Sequence, residues 1–259
     1  MLKKAYPFFS YLDYFLRKED LYSLQSPMLF AMYGELKGFR KSRQYNDLDI
    51  EQYRSNLLAS KESIDVDDFD AGSKHLPNSS RQVAEITKFS TTNRKFAQLY
   101  QFFCNKTAAQ NVLELGTCVG ITTRYLSKVT TGKIYSFEGS PEIARIAASA
   151  SEYKNLELIE GNINTTLPAL LKTGDLVDFA LIDAAHTYEA TIRYFQQLKS
   201  NLHSGSIVAV GDIHWSKEMN RAWEYIKSDE AVILTLDFYE CGIIFFEYAG
   251  PKSHYILDY

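Results

Sequence analysis

The sequence predicts an α/β fold built around a mostly parallel sheet, and three observations support this prediction. From Thr91 onwards, short apolar runs typical of strands alternate with segments of helical periodicity. The first apolar run, in residues 111–120, ends in a turn with two glycines and continues as a helix. Two strand-like runs meet around residues 239–242, a return short enough for an antiparallel pair. We therefore expect a seven-stranded, mostly parallel sheet with an antiparallel last strand, helices on both faces, and an N-terminal helical segment.

The individual elements follow from this alternation. Strands are expected at VLEL, KIYSF, LELIEG, DFALID and SIVAVGD, and then at two runs within AVILTLDFYECGIIFFE. Helices are expected at TTNRKFAQLYQFFCN, ITTRYLSKV, PEIARIAASAS, LPALLKT and YEATIRYFQQLKSNL. The first of these helices would be capped by Thr92 or Asn93, because both side chains can accept a hydrogen bond from the first turn.

The composition indicates an enzyme-sized cytoplasmic protein. A chain of 259 residues with 46% hydrophobic residues can bury the core of one main domain with an added segment. The formal charge of −4 provides no broad cationic field, which disfavours nucleic acid as the main partner. Cys104, Cys118 and Cys241 show no metal-binding spacing and are expected to be reduced thiols. No apolar run approaches the ~20 residues that span a bilayer.

Residues 1–90 differ from residues 91–259, which we expect to form the main domain. Two aromatic stretches, YPFFSYLDYFLRK and PMLFAMYGELKGF, predict helices separated by a break at Ser26 and Pro27. The first helix could lie on a membrane surface, but aromatic faces more often pack on the parent domain or on a second copy. We therefore expect this segment to pack on the parent domain or to form a homo-oligomer, rather than to contact a membrane. Residues 64–80 predict either a mobile linker or a lid over a ligand.

The glycine turn and the acids around it predict a site for a nucleoside cofactor. Glu138 ends the second strand, where a βαβ nucleotide site places its ribose-binding carboxylate. Between Gly116 and Gly120 the spacing is G-x-x-x-G, with Cys118 where a dinucleotide fingerprint has its middle glycine. A pyrophosphate would therefore fit poorly. Glu114 would repel phosphates, but it suits an ammonium group such as the methionine end of S-adenosylmethionine.

Four blocks in order extend this interpretation to a family. ELGTCVGITT, SFEGSPE, LIDAAHTYE and SIVAVGDIHW together resemble the class I S-adenosylmethionine-dependent methyltransferases, nearest to the small-molecule O-methyltransferase branch. The resemblance covers about residues 90–247. It implies a Rossmann-like fold, S-adenosylmethionine as the cofactor, a small-molecule acceptor, and methyl transfer to a hydroxyl.

The resemblance also implies which residues bind the cofactor. Glu114, Gly116 and Gly120 would line the methionine moiety, and adenine would lie near residues 161–163. Glu138 would accept hydrogen bonds from both ribose hydroxyls. The positions that match the cofactor motif are Glu114, Gly116, Thr117, Gly120, Thr122, Glu138, Gly161, Asn162, Ile163 and Asp183.

The resemblance also implies specific roles for Thr122 and Asn162. Thr122 would donate to the methionine carboxylate at the start of its helix. Many relatives carry an aspartate at the position of Asn162, where it accepts the adenine amine. The amide oxygen of Asn162 can accept the same hydrogen bond.

The chemistry is expected after the fourth and fifth strands. Asp183 and His186 follow one strand, and Asp212 and His214 follow the next. Transfer to a hydroxyl needs proximity and a base, and His186 is the best candidate for that base. Either histidine could instead be a helix cap or a packed, hydrogen-bonded ring. Trp215 could form a wall of the acceptor pocket or belong to the core.

A divalent metal such as magnesium is a second way to activate the acceptor. In similar catechol-type O-methyltransferases the metal ligands align with Asp183, Gly211 and Asp212 of this chain, so one acidic ligand is missing. Asp183, Asp212 and a histidine could still bind a metal. The missing acid favours the histidine as base over the metal.

Two further functions remain open on the sequence alone. The glycine at residue 211 is compatible with a protein that binds S-adenosylmethionine without catalysis. A nicotinamide-dependent oxidoreductase is disfavoured by the spacing of Gly116 and Gly120.

Overall fold

A computed structural model of the chain describes residues 2–43, 45–66, 80–149 and 153–259. The helices are α1 (Leu2–Arg17), α2 (Pro27–Ser42), α3 (Leu48–Leu58), α4 (Val83–Ser90), α5 (Arg94–Cys104), α6 (Ile121–Ser127), α7 (Pro141–Ser149), α8 (Ile163–Leu171), α9 (Tyr188–Leu198) and α10 (Lys217–Ser228). The strands are β1 (Ser63–Asp65), β2 (Ser80–Gln82), β3 (Asn111–Leu115), β4 (Lys133–Glu138), β5 (Leu156–Glu160), β6 (Val177–Ile182), β7 (Leu202–Gly211), β8 (Leu234–Asp237), β9 (Cys241–Phe245) and β10 (Ser253–Ile256).

The main sheet has eight strands in the order β10-β8-β9-β7-β6-β3-β4-β5. Strand β9 runs antiparallel to both of its neighbours, and the other pairs are parallel. The seven predicted strands and the reversed last strand of that set are confirmed. The eighth, β10, was not predicted, because a four-residue run at a sheet edge carries almost no apolar alternation.

Helices cover both faces of this sheet, as the apolar strand runs predict. Helices α2 and α5 contribute to the core on one face, and α8, α9 and α10 contribute to the core on the other. Every residue of β6 is buried, which is typical of a strand in the middle of a parallel sheet. The carboxyl ends of β3, β4, β6 and β7 therefore lie at one edge, between two layers of helices.

Besides α2, other parts of the N-terminal segment pack against the rest of the chain. Helix α1 is joined to the C-terminal strand region, where the Tyr14 hydroxyl donates to the Leu257 carbonyl at 2.8 Å. Helices α3 and α4, with β1, share a third hydrophobic cluster with α6 and α7. Of the two predicted caps of α5, it is Asn93 that accepts the N–H of Phe96.

The predicted linker or lid at residues 64–80 falls largely on residues 67–79, which lie outside the described residues. Within the described ranges, none of the helices combines the length and apolarity that crossing a membrane requires.

Candidate active site

The glycine turn after β3 lies directly against the end of β6. Gly116 has a φ of +105°, and a Cβ on it would lie 2.4 Å from the carbonyl oxygen of Asp183. The backbone N–H groups of Gly116 and Thr117 both donate to the Phe137 carbonyl at 3.0 Å. Only glycine combines this left-handed backbone with so close an approach. The turn is thereby fixed between the ends of β4 and β6.

Glu138, at the end of β4, is held in place by backbone donors. The N–H of Cys118 donates to its Oε2 and the N–H of Ser140 donates to its Oε1, both at 2.9 Å. Burial raises the pKa of this carboxyl to about 7. Glu138 lines the cavity, and each carboxylate oxygen keeps a further lone pair. It can therefore accept hydrogen bonds from a ligand in a fixed direction.

Glu114 does not reach the cavity, contrary to the expected contact with the methionine moiety. It has no exposed surface, and its Oε2 accepts from the hydroxyls of Thr123 at 2.5 Å and Ser136 at 2.6 Å. These two donors hold the carboxyl inside the fold. Ser136 is in turn 2.5 Å from the Thr117 hydroxyl, so Glu114 supports the glycine turn from behind.

A cavity of about 610 Å³ opens above the strand ends. This volume is in the range of small-molecule and cofactor sites. The predicted cofactor residues on its wall are Gly116, Thr117, Thr122, Glu138, Asn162, Ile163 and Asp183, whereas Gly120 and Gly161 do not line it. The Asn162 side chain caps α8, because its amide oxygen accepts the N–H of Asn164 at 2.9 Å. The second lone pair of this oxygen remains for the adenine amine.

The N-terminal segment also contacts the glycine turn. The Tyr53 hydroxyl, from α3, donates to the Val119 carbonyl at 3.0 Å. The Arg124 guanidinium lies 3.7 Å from the centre of the Tyr53 ring and donates to the Gly120 carbonyl at 2.7 Å. Tyr53, from outside the α/β alternation, therefore helps to set the shape of the turn.

Asp183, His186 and Asp212 converge at the cavity, as the strand-end argument predicts. One ligand-type atom from each of the three lies within 4.8 Å of the other two. The Nε2 of His186 is 3.7 Å from the Oδ2 of Asp212. Burial raises the pKa of Asp183, and the nearby His186 opposes that rise. The cluster offers two carboxylates and an imidazole on one side of the cavity.

The backbone around this cluster is strained. Ala185, His186 and Asp212 have φ values of +64°, +47° and +55°, and Cys118 in the glycine turn has +49°. Non-glycine residues rarely adopt this left-handed conformation, and such residues concentrate at functional sites. All four lie on the cavity wall. Their strain supports the view that this cavity is where the protein acts.

The position of Gly211 explains the missing acidic ligand. A Cβ at residue 211 would lie 1.9 Å from the Oδ1 of Asp183. The Asp183 carboxyl therefore occupies the space that a side chain at residue 211 would need. A second acid cannot be accommodated there without moving Asp183.

A comparison with protein families agrees with this geometry. Residues 113–213, which contain the glycine turn and the acid and histidine cluster, match the model of a family described as a methyltransferase domain. This stretch of the chain is similar to that family. No curated protein sequence matches the chain significantly.

Solved structures of methyltransferases share the fold of this chain. The O-methyltransferase TomG from Streptomyces achromogenes, in complex with SAM, is 17% identical with a TM-score of 0.52, over 61% of this chain and 82% of its own. The O-methyltransferase from Bacillus cereus, in complex with SAH, is 17% identical with a TM-score of 0.50, over 60% and 83%. The SAH-bound methyltransferase PaMTH1 from Podospora anserina is 14% identical with a TM-score of 0.53, over 79% and 97%. The class I methyltransferase fold is thus confirmed.

His214 is not brought into the cavity. Its Nε2 is 2.7 Å from the Oδ2 of Asp237, its Nδ1 is 2.9 Å from the Oδ1 of Asn220, and its ring stacks on Tyr239. Both ring nitrogens are engaged, so the candidate catalytic role of His214 is not supported. Of the two interpretations left open for the histidines, His214 fits the packed, hydrogen-bonded ring.

Two residues, Thr92 and Glu240, join the site in addition to those predicted, and one open prediction is decided for Trp215. The Thr92 hydroxyl donates to the Oδ2 of Asp183 at 3.4 Å, although the sequence suggested only a helix cap. Glu240 lies on the cavity wall, and burial together with the charge of Asp212 raises its pKa. Of the two interpretations of Trp215, the structure supports a place on the cavity wall, with its ring 5.8 Å from that of His186. The predicted return at residues 239–242 was a signal for Glu240, because that return lies at the same sheet edge.

Proposed function

We propose that this protein is an S-adenosylmethionine-dependent methyltransferase that acts on a hydroxyl of a small molecule. One observation carries the proposal: a single cavity joins the Glu138 carboxyl and the glycine turn to the cluster of Asp183, His186 and Asp212. The first part can bind a nucleoside cofactor, and the second can activate an acceptor. The SAM and SAH complexes among similar O-methyltransferase structures support the same cofactor.

The residues around the glycine turn fit S-adenosylmethionine. Two backbone N–H groups fix the Glu138 carboxylate, whose remaining lone pairs match the two ribose hydroxyls. Gly116 brings backbone, without a side chain, to the cavity wall where the methionine end would lie. The Thr122 side chain, in the first turn of α6, can donate to the methionine carboxylate.

His186 is the residue that we propose to take the proton of the acceptor hydroxyl. The bound cofactor supplies a methyl group that is activated by a positively charged sulfonium. The enzyme must then place the acceptor oxygen and remove its proton. The Nε2 of His186 can receive that proton, and the Asp212 carboxylate at 3.7 Å would stabilise the resulting imidazolium.

A divalent cation is the second candidate for activating the acceptor. Asp183, Asp212 and His186 provide two oxygen ligands and one nitrogen ligand in the right proximity, a donor set that suits several divalent metals. A cation held there would lower the pKa of a coordinated hydroxyl. In that case His186 would be a ligand and could not act as the base.

The decisive experiment combines an acceptor screen with two variants. The purified protein is incubated with S-adenosylmethionine carrying a labelled methyl group and a panel of catechols, sugars and other hydroxylated metabolites, with magnesium or with a chelator. We expect a methylated product that persists in the chelator and is lost in His186→Gln. His254→Gln, which changes an exposed histidine outside the cavity, should retain activity.

Other results of this experiment would favour one of the alternative functions. Loss of product in the chelator would favour the metal over the histidine base. Cofactor binding without any product across the panel would support a binding protein without catalysis. Binding of NADH in place of S-adenosylmethionine would contradict the proposal.

A further inference from the structure

The short sheet formed by β1 and β2 carries an arginine on its buried face. In each strand the middle residue is buried between two exposed neighbours, and the register pairs Ile64 with Arg81. Val66 and Val83, which follow the two strands, are also buried. Three of these four buried positions are aliphatic, whereas Arg81 carries a charge and is only 6% exposed. A guanidinium at a position that suits an aliphatic side chain indicates a function for its charge.

This buried face packs beside the glycine turn. Its aliphatic residues share a hydrophobic cluster with Val119 and Ile121, at the end of the glycine turn and the start of α6. Arg81 lies on the wall of the cavity, and so does Thr122, the next residue of α6. Arg81 therefore belongs to the end of the cavity that the glycine turn forms.

The cluster of Asp183, His186 and Asp212 lies on the other side of the glycine turn. These three residues follow β6 and β7, whereas the glycine turn follows β3. The aliphatic residues beside Arg81 also contact α7, which follows β4, through Ile143. In the sheet order β7-β6-β3-β4, the cluster and α7 are therefore on opposite sides of the turn. A ligand group that Arg81 binds belongs to the cofactor rather than to the acceptor.

A cavity that binds S-adenosylmethionine needs a positive charge at this end. The cofactor has no phosphate, so the carboxylate of its methionine moiety is its anionic group. Glu138 and Asp183 line the same cavity, and their negative charges would repel a carboxylate. Among the described residues of the wall, the positively charged side chains of lysine and arginine are those of Lys88, which is exposed, and Arg81, which is buried. Solvent and salt screen the charge of a buried group least, so Arg81 is the better partner for the carboxylate.

We propose that Arg81 binds the methionine carboxylate of the cofactor, together with the hydroxyl of Thr122. This inference rests on the proposed function, which makes S-adenosylmethionine the ligand. A guanidinium offers five N–H donors in a planar fork, and two of them can bind both oxygens of a carboxylate. The remaining donors allow Arg81 to contact other parts of the chain at the same time. Arg81 lies outside residues 113–213, which match the family model, so the N-terminal segment completes the cofactor site.

The test compares the affinities of two ligands by titration calorimetry on the full-length protein. One ligand is SAH, and the other is 5′-(3-aminopropyl)thioadenosine, the analogue of SAH that lacks only the carboxylate. The unaltered protein should bind SAH about 10- to 100-fold more tightly than the analogue, as expected for hydrogen bonds between charged groups. Arg81→Gln should lower the affinity for SAH by about the same factor and leave the affinity for the analogue within about twofold.

Two further variants control for effects on the fold. Arg81→Met places an apolar side chain of similar length beside the aliphatic neighbours, so it gives the same comparison should Arg81→Gln fail to fold. It should show the same loss of preference for SAH. Arg145→Gln changes an exposed arginine of α7 that does not line the cavity, and it should bind both ligands as the unaltered protein does.

Three results would overturn the role of Arg81. If the unaltered protein binds SAH and the analogue equally, no residue recognises the carboxylate, although the cofactor assignment stands. If the Arg81 variants bind SAH as tightly as the unaltered protein, or lose affinity for both ligands equally, Arg81 does not bind the carboxylate. If the unaltered protein binds neither ligand, the proposed function is itself wrong and this inference falls with it.

Discussion

Replacement of Glu114 by glutamine should make the protein more stable at neutral and alkaline pH. Glu114 has no exposed surface, and its Oε1 has no hydrogen-bond partner among the described residues. Burial raises the pKa of the carboxyl from 4.5 to about 8, against the lowering effect of the hydroxyls of Ser136 and Thr123. The folded protein therefore keeps a proton on Glu114 that the unfolded chain releases. Glutamine has the shape of this protonated acid and cannot ionise.

The sign and size of the effect follow from this difference in proton binding. An acid whose pKa is raised by folding binds more protons in the folded state between its two pKa values, so the free energy of unfolding falls as pH rises through that window. Each pKa unit corresponds to about 1.4 kcal/mol. For a pKa that moves from 4.5 to about 8, the loss between pH 5 and pH 8 is roughly 3 to 4 kcal/mol.

Urea denaturation of the unaltered protein and of Glu114→Gln at pH 5, 6, 7 and 8 measures this loss. The free energies of unfolding should be similar at pH 5, and the variant should gain stability over the unaltered protein with each step in pH. Glu138 is present in both proteins, so its own titration cancels in the difference. Glu230→Gln, a change at an exposed glutamate, should show no such trend. A constant difference between Glu114→Gln and the unaltered protein across this range would refute the reasoning.

Three further predictions concern the cavity. His186→Gln should lower turnover by ~10²-fold or more with near-normal cofactor affinity, and steady-state kinetics showing full activity would remove His186 as the base. Tyr53→Phe removes a hydroxyl that donates to the glycine turn and should weaken SAH binding about fivefold, or ~1 kcal/mol. Tyr125→Phe, which loses a hydrogen bond between α3 and α6 that does not reach the turn, should leave calorimetric affinity unchanged, and equal effects of the two changes would contradict the role of Tyr53. Gly211→Ala should cost about 1 to 3 kcal/mol of stability and reduce turnover, because the new Cβ overlaps the carboxyl of Asp183; a variant with normal melting and activity would argue against that overlap.

The parts of the site that depend on strand order could be predicted from the sequence. Parallel strands bring their carboxyl ends to one edge, so acids that follow neighbouring strands must meet. This rule correctly placed Asp183 and Asp212 together and brought His186 beside them. It also placed Glu138 on the cavity wall. These positions are set by backbone topology, which apolar periodicity and glycine turns encode directly.

The parts that depend on side-chain partners from distant segments could not be predicted. Glu114 and Glu138 both follow apolar strand residues, but the hydroxyls of Thr123 and Ser136 hold the first one inside the fold. His214 follows an acid just as His186 does, yet Asp237 from a strand further along the chain binds its ring. Sequence spacing gives no information on such pairings. The short edge strand β10 was missed for a related reason, since backbone pairing with β8 forms it rather than an apolar pattern.

The central claim, that the cavity binds S-adenosylmethionine through Glu138, is tested most directly by titration calorimetry with S-adenosylmethionine, with its demethylated product and with NADH. We expect micromolar affinity for the first two ligands and no binding of NADH. Glu138→Ala should lose hydrogen bonds to the ribose worth ~1.5 to 3 kcal/mol, which is about one to two decades in affinity. Unchanged affinity in Glu138→Ala, or binding of NADH in place of S-adenosylmethionine, would contradict the claim.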